Sequence, residues 1–246
     1  MSGRRRLDQE LEARGLLPSR ARARDAILRG TVTVNGSVAA KPNQQVDESD
    51  AIALDDPAAR YVSRAALKLV AGLDAGNIDP RGKTCLDLGS STGGFTQVLL
   101  ERGAVRVHAV DVGHAQLHES LRCDPRVVSL EGVNGRDLDR NLIPDPIELI
   151  VSDVSFVSIL KVIDPALALA APGAEAVILI KPQFEVGRDH IGKGGIVTDD
   201  TAIADAVERV VSHMATAGWA HRFSIASPIA GGDGNREIVA GFSRVQ

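Results

Sequence analysis

Four ionisable residues stand where a charge is hard to place. Lys181 directly follows the apolar run AVILI, Asp153 closes IELIVSD, Glu237 opens the run IVAGF, and Lys68 sits in SRAALKLVAG. A lysine straight after a buried strand must send its ammonium to water or to a partner. In open α/β sheets ligands bind outside such strand ends, so an amine and a carboxylate there are candidate site residues. Glu237 can pair with a lysine, whereas Lys68 on its own reads as a surface residue. A second group of residues points to a nucleotide-like ligand. Asp87-Leu-Gly89-Ser90-Ser91-Thr92-Gly93-Gly94-Phe95 follows one apolar run and opens a helical one, which lets backbone approach a ligand at a helix start. Asp111, with Val112 beside it, ends the next run about twenty residues on, where a carboxylate accepts both ribose hydroxyls of an adenosine. Asn134 lies just past the third run, within reach of an adenine edge. The glycines are not spaced G-x-G-x-x-G, which argues against a dinucleotide.

These residues need a sheet to align them, and the pattern supplies one. From residue 63 onward strands and helices alternate: TCLDL, a helix to Arg102, VRVHAVD, a helix ending near Arg122, RVVSLE, IELIVSD, a helix around Ile159–Ala170, and EAVILIK. A long helix over Asp199–Ala217 and strands over Trp219–Ser227 and Glu237–Phe242 complete the series. Continuous apolar runs such as IELIV and AVILI suit strands covered on both faces, so the fold class is α/β, a Rossmann-like doubly wound sheet. Its first helix has Ser63 as N-cap, with Leu67, Val70 and Leu73 facing inward. Ahead of it lies a small α+β unit. Leu7, Leu11 and Leu16 line one helix, Ser19 caps a second that buries Ala23, Ala26 and Ile27 and ends at Gly30, and TVTVNGSV is a hairpin with a type I′ turn at Asn35-Gly36. A short strand, Ala51–Leu54, closes it. The expected domains are residues 1–56 and 63–246, with 57–62 as linker.

Composition sets outer limits. Of 246 residues, 44 % are apolar and 24 % charged, which excludes a disordered chain; aromatics at 3 % leave the core to Val, Ile, Leu and Ala. Two cysteines are too few for a disulfide scaffold or a Cys-only zinc site, and no metal is implied. The N-terminus lacks the apolar run of a secretory signal and no stretch is long enough to span a bilayer, so a soluble, cytoplasmic protein is expected. Although the net charge is −4, residues 1–30 hold eight arginines against four acids, a local excess of +4. Arg20, Arg22, Arg24 and Arg29 are expected to form a basic face beside the hairpin, facing an anionic partner.

Together, LDLGSSTGGFT, AVDVG, VSDVSF, IKPQFEVGR, KGG and SPIAGGDGNREIV resemble the TlyA family of ribosomal RNA 2′-O-methyltransferases, whose catalytic domain is FtsJ-like. RLDQELEARGLLPSRARARDAILRGTVTVNG is similar to the S-four-type RNA-binding domain. The resemblance implies S-adenosylmethionine as donor and a Lys-Asp-Lys-Glu tetrad at Lys68, Asp153, Lys181 and Glu237. It also implies cofactor contacts along Asp87–Phe95, Asp111, Val112, Asn134 and Asp153, and ribosomal RNA contacts from Arg4, Arg5, Arg6, Arg20, Arg22, Arg24 and Arg64. The expected substrate is a cytidine of large-subunit RNA, since the short C-terminal end resembles the subclass restricted to that subunit; small-subunit RNA is a second candidate. The chain departs from the family pattern at Ala65-Ala66 for Gly-Gly, His114-Ala115 for a Tyr-Gly pair, Gly132 for Arg and Ala230 for Lys. Three rival functions are weaker: a cytolysin lacks its membrane-length segment, a nicotinamide enzyme lacks its glycine spacing, and a binding-only RNA protein would not need the tetrad.

Overall fold

A computed structural model describes residues 4–231 and 234–245, and the chain divides into two compact units between Arg60 and Tyr61. The first unit runs β1 (Arg5–Arg6), α1 (Leu7–Ala13), α2 (Arg20–Leu28), β2 (Val32–Val34), β3 (Ser37–Val38), β4 (Gln45–Val46) and β5 (Ile52–Leu54). β3, β2 and β5 form one antiparallel sheet, and β1 pairs with β4 in another. Ser19 caps α2 as expected, its Oγ accepting the Arg22 N–H at 3.3 Å. Asn35 and Gly36 both take positive φ, as the type I′ turn requires. Leu7 and Leu11 are buried, but Leu16 is exposed and Leu17 takes the inward place. The helix stops at Ala13, so the 3.6-residue period no longer governs the residues that follow.

The second unit runs α3 (Ala66–Gly76), β6 (Thr84–Leu88), α4 (Gly94–Glu101), β7 (Arg106–Asp111), α5 (Glu119–Arg122), β8 (Val127–Glu131) and β9 (Ile147–Ser152). It continues through a 3-10 turn (Ile159–Lys161), α6 (Ile163–Ala168), β10 (Ala170–Ile180), α7 (Pro182–Glu185), α8 (Asp200–Thr216), β11 (Trp219–Ala226) and β12 (Ile238–Arg244). The seven strands are ordered β11-β12-β10-β9-β6-β7-β8. β8, β7, β6, β9 and β10 are parallel, and β12 and β11 are antiparallel. Strand order therefore reverses between β6 and β9, the switch point where open α/β sheets bind ligands. β10 begins at Ala170, five residues before Glu175, with an irregular register between the two; the expected helix ends earlier to release that stretch.

Alternation along each strand splits the core in two. Ile178 and Ile180 pack with α6 and α8 residues on one face, and Val177 and Leu179 with α3 and α4 on the other. Tyr61 and Val62, read in sequence as linker, belong to this second cluster. α3 corrects a second reading. It starts at Ala66, after a turn in which Ser63 Oγ accepts the Ala65 N–H, and its buried residues are Ala66, Lys68, Leu69, Gly72 and Leu73. Leu67 and Val70 are only partly buried, so the inward face includes a lysine.

Gly93 closes the loop before α4 at φ +95°, and a Cβ there would lie 2.3 Å from Leu121 Cδ1 and 2.8 Å from Leu117 Cδ1. Gly93→Ala combines left-handed backbone strain with an overpacked contact, so it should destabilise the second unit by about 2–4 kcal/mol. Thermal unfolding followed by circular dichroism should show a fall of about 5–15 °C, and an unchanged midpoint would contradict the packing described.

Candidate active site

Strand register assembles the site. Asp153 follows β9, Lys181 follows β10, and Glu237 precedes β12; Ser152 lies beside Ile178 and Ile180 beside Ile238, so all three emerge at one end of the sheet. β12 runs antiparallel, which is why its first residue meets the last residues of its neighbours. Lys68, in the first turn of α3, reaches the same point from the helical layer. Lys181 Nζ is 2.7 Å from Asp153 Oδ1 and 2.6 Å from Ser155 Oγ. Lys68 Nζ is 2.5 Å from Glu237 Oε2 and 3.5 Å from Asp153 Oδ2. The structure thus brings all four tetrad positions together. Lys68, Lys181 and Glu237 are each no more than 6 % exposed. Unpaired buried charges would be costly, but two cations alternating with two carboxylates make a neutral set. Lys68, expected at the surface, is buried because these two carboxylates receive it.

A cavity of about 560 Å³ adjoins this set at the switch point, lined by the ends of β6, β7 and β9. Of the expected cofactor residues, Gly89, Ser91, Asp111, Val112, Asn134 and Asp153 line it. Asp111 is oriented by two backbone donors, the Ser91 N–H to Oδ2 at 2.8 Å and the Gly113 N–H to Oδ1 at 2.7 Å. Val112 is an exposed apolar wall. Asn134 Oδ1 accepts the Arg136 N–H, capping a 3-10 turn. Asp87, Ser90, Thr92, Gly93, Gly94 and Phe95 do not line the cavity. A Cβ at Gly93 would meet Leu117 and Leu121, and one at Gly94 would meet Ser63, so packing alone already asks for glycine at both positions. Sequence reading missed Gln116, Arg136, Ser155 and Phe156. Ser155 and Phe156 carried a signal in VSDVSF, since both lie within three residues of Asp153. Phe156 is 90 % exposed at φ +66°, with its ring 5.7 Å from that of Phe184.

The residues present fit a cationic nucleoside ligand. Cavity volume falls in the range of small-molecule sites. Asp111, a carboxylate held on the cavity wall by two backbone donors, suits the hydroxyls of such a ligand. Two departures from the family pattern explain each other. A Cβ at Gly132 would lie 2.7 Å from His114 Nε2, so the imidazole fills space that a side chain at 132 would take. Ala115 stands at φ +53°, a conformation that the glycine usual there adopts freely.

The arginines expected to meet RNA divide. In the first unit Arg6 is held by Asp8 through bonds of 2.9 and 2.8 Å, and Arg20 lies 3.7 Å from the same carboxylate. Arg4 is 3.4 Å from Asp47 and Arg5 3.6 Å from Glu10. Arg24 is exposed and shares with Arg6 and Arg20 a cleft of about 540 Å³. Arg22 donates to the Ala58 carbonyl at 2.6 Å. Arg29, expected on the basic face, instead pairs with Asp25 and Asp56 and is largely buried, which makes it a structural tie. Arg64 is partly buried in the second unit.

Asp87, whose Oδ2 accepts the Thr96 hydroxyl at 2.7 Å, is fully buried, and burial raises its pKa to about 7. Between about pH 4 and 7 the folded protein keeps a proton here that the unfolded chain releases. The stability this group contributes is therefore lost as pH rises through that window. Asp87→Asn removes the titration, so its melting temperature relative to wild type should rise from pH 5 to pH 8. A difference independent of pH would contradict the buried carboxyl described.

The FtsJ-like methyltransferase family model matches residues 61–244, and an S4 domain model matches residues 5–52. The chain is 44 % identical to a Mycobacterium tuberculosis protein named 16S/23S rRNA (cytidine-2′-O)-methyltransferase TlyA, over 96 % of this chain and 89 % of that one. It is 40 % identical to a Campylobacter jejuni 23S rRNA (cytidine-2′-O)-methyltransferase TlyA, over 77 % of this chain and 73 % of that one. A solved Streptococcus thermophilus structure titled a hemolysin superposes with a TM-score of 0.77 at 34 % identity, covering 100 % of this chain and 90 % of that one. No described helix is long and apolar enough to cross a membrane.

Proposed function

Because the chain belongs to the FtsJ-like methyltransferase family, we propose that it methylates the ribose 2′-hydroxyl of a cytidine in ribosomal RNA. The observation that carries this reading is the contact of Lys181 with Asp153 at the cavity mouth. S-adenosylmethionine, when bound, supplies an electrophilic methyl on a positively charged sulfur. Asp111, pre-oriented by two backbone donors, accepts the ribose hydroxyls of that ligand, with Val112 and Asn134 on the adenine side. Lys181 Nζ, having released one of its protons to solvent, holds the acceptor 2′-hydroxyl in the place now taken by Ser155 Oγ and takes up the proton that the hydroxyl gives up. Asp153 fixes the Lys181 side chain, while Lys68, anchored by Glu237, closes the other side of Asp153. Holding the hydroxyl in line with the methyl supplies much of the acceleration. Phe156, exposed beside Ser155, offers its ring face to the target base. The first unit contributes docking through Arg6, Arg20 and Arg24, with Arg4, Arg5 and Arg22 nearby in sequence.

Lys181→Ala should abolish tritium transfer from labelled cofactor to purified ribosomal subunits while leaving RNA affinity nearly unchanged, since one charge among many phosphate contacts matters little. Wild-type turnover by this variant would rule out the assigned role. A chain starting at Tyr61 should lose RNA affinity and most of the salt dependence of binding. Binding as tight as that of the whole chain would contradict the division of labour.

A further inference from the structure

We propose that Glu185 is a positioning residue for methyl transfer: it grips the loop bearing Asp153, Ser155 and Phe156 and holds it against the segment bearing Lys181. The inference rests on the methyl-transfer reading above. Residues 153–158 connect β9 to the 3-10 turn at Ile159. At the near end the loop is tied to the sheet, the Asp153 N–H donating to the Leu88 carbonyl at 3.2 Å. At the far end Ser158 precedes the turn, yet its side chain does not cap it. Glu185 does so from another part of the chain. Its Oε2 accepts the Ser158 hydroxyl at 2.6 Å, and its Oε1 accepts the Ile159 N–H at 2.8 Å.

Both carboxylate oxygens are thus spent on one point, at the end of the loop that carries the catalytic carboxylate. Glu185 is also the last residue of α7, which begins directly after Lys181. One side chain therefore bridges the two segments whose tips meet in the 2.7 Å contact of Lys181 with Asp153. The bridge is itself held, because the Glu185 carbonyl accepts from Arg209 Nη2 on α8 at 2.7 Å. A second tie, the contact between the Phe156 and Phe184 rings, joins the same two segments. Phe156 keeps a positive φ within this loop. A bulky residue holds that conformation only when its surroundings impose it, and the Glu185 grip two residues on is such a constraint.

The chemistry separates a grip from a charge. Glutamine at 185 keeps a carbonyl for the Ile159 N–H and presents an amide that donates to Ser158 Oγ, whereas alanine keeps neither bond. With the full chain, saturating cofactor and purified ribosomal subunits, Glu185→Ala should lower kcat at least tenfold with the RNA KM within twofold of wild type. Glu185→Gln should stay within threefold of wild type in both. Wild-type kcat for the alanine variant, or equal damage from both variants, would overturn the proposal. If the alanine variant does not fold, Ser158→Ala decides. A kcat lowered at least threefold with unchanged RNA KM supports the grip, and wild-type kcat overturns it. Absence of transfer by the wild-type chain in the same assay would overturn the methyl-transfer reading itself.

Discussion

Asp153 is a carboxylate shared by two buried lysines, and most of the second unit is arranged so that this sharing is possible. Lys181 approaches one oxygen at 2.7 Å and Lys68 the other at 3.5 Å, while Glu237 balances Lys68 at 2.5 Å. Removing any one member leaves an uncompensated charge in a largely buried site, where truncating a buried pair costs about 3–5 kcal/mol. Neutrality also leaves Lys181 fixed beside the cavity, with its ammonium turned toward Ser155.

Topology explains why this set sits beside a nucleoside-sized cavity. Reversal of strand order between β6 and β9 opens the crevice, and β6, β7 and β9 line it with their carboxyl ends. β10 and β12 lie one and two strands further along, so Lys181 and Glu237 stand beside the cavity, with Asp153 on its wall. The cavity and the ion-paired set thus occupy adjacent strand ends of one sheet. In the first unit Asp8 orients Arg6, and Arg24 is open to solvent.

Much of this was legible in the amino-acid sequence because period and punctuation agreed. Apolar runs bounded by Asp87, Asp111, Asp153 and Lys181 placed each strand end to within a residue or two, and the strand ends are the site. The burial of Lys68 was not legible. Helical period alone put Leu67 and Val70 inward, and only the carboxylates arriving from β9 and β12 turn the lysine to that face. That Gly93 and Gly94 are also required by packing was not legible either, because the side chains that crowd them, Leu121, Leu117 and Ser63, lie far along the chain or ahead of the sheet. Arg29 misled for the same reason, since its partner Asp56 is 27 residues away. Contacts of this range leave no trace in local pattern.

The central claim is that Asp153 organises the lysines for transfer to a ribose hydroxyl. Its most direct test is nucleoside mass spectrometry of ribosomal RNA after incubation of unmethylated subunits with cofactor and either wild type or Asp153→Asn. The account predicts 2′-O-methylcytidine with wild type and none above background with the variant. A 2′-O-methyl product of equal yield from the variant, or a methyl group on a base rather than a ribose, would contradict it.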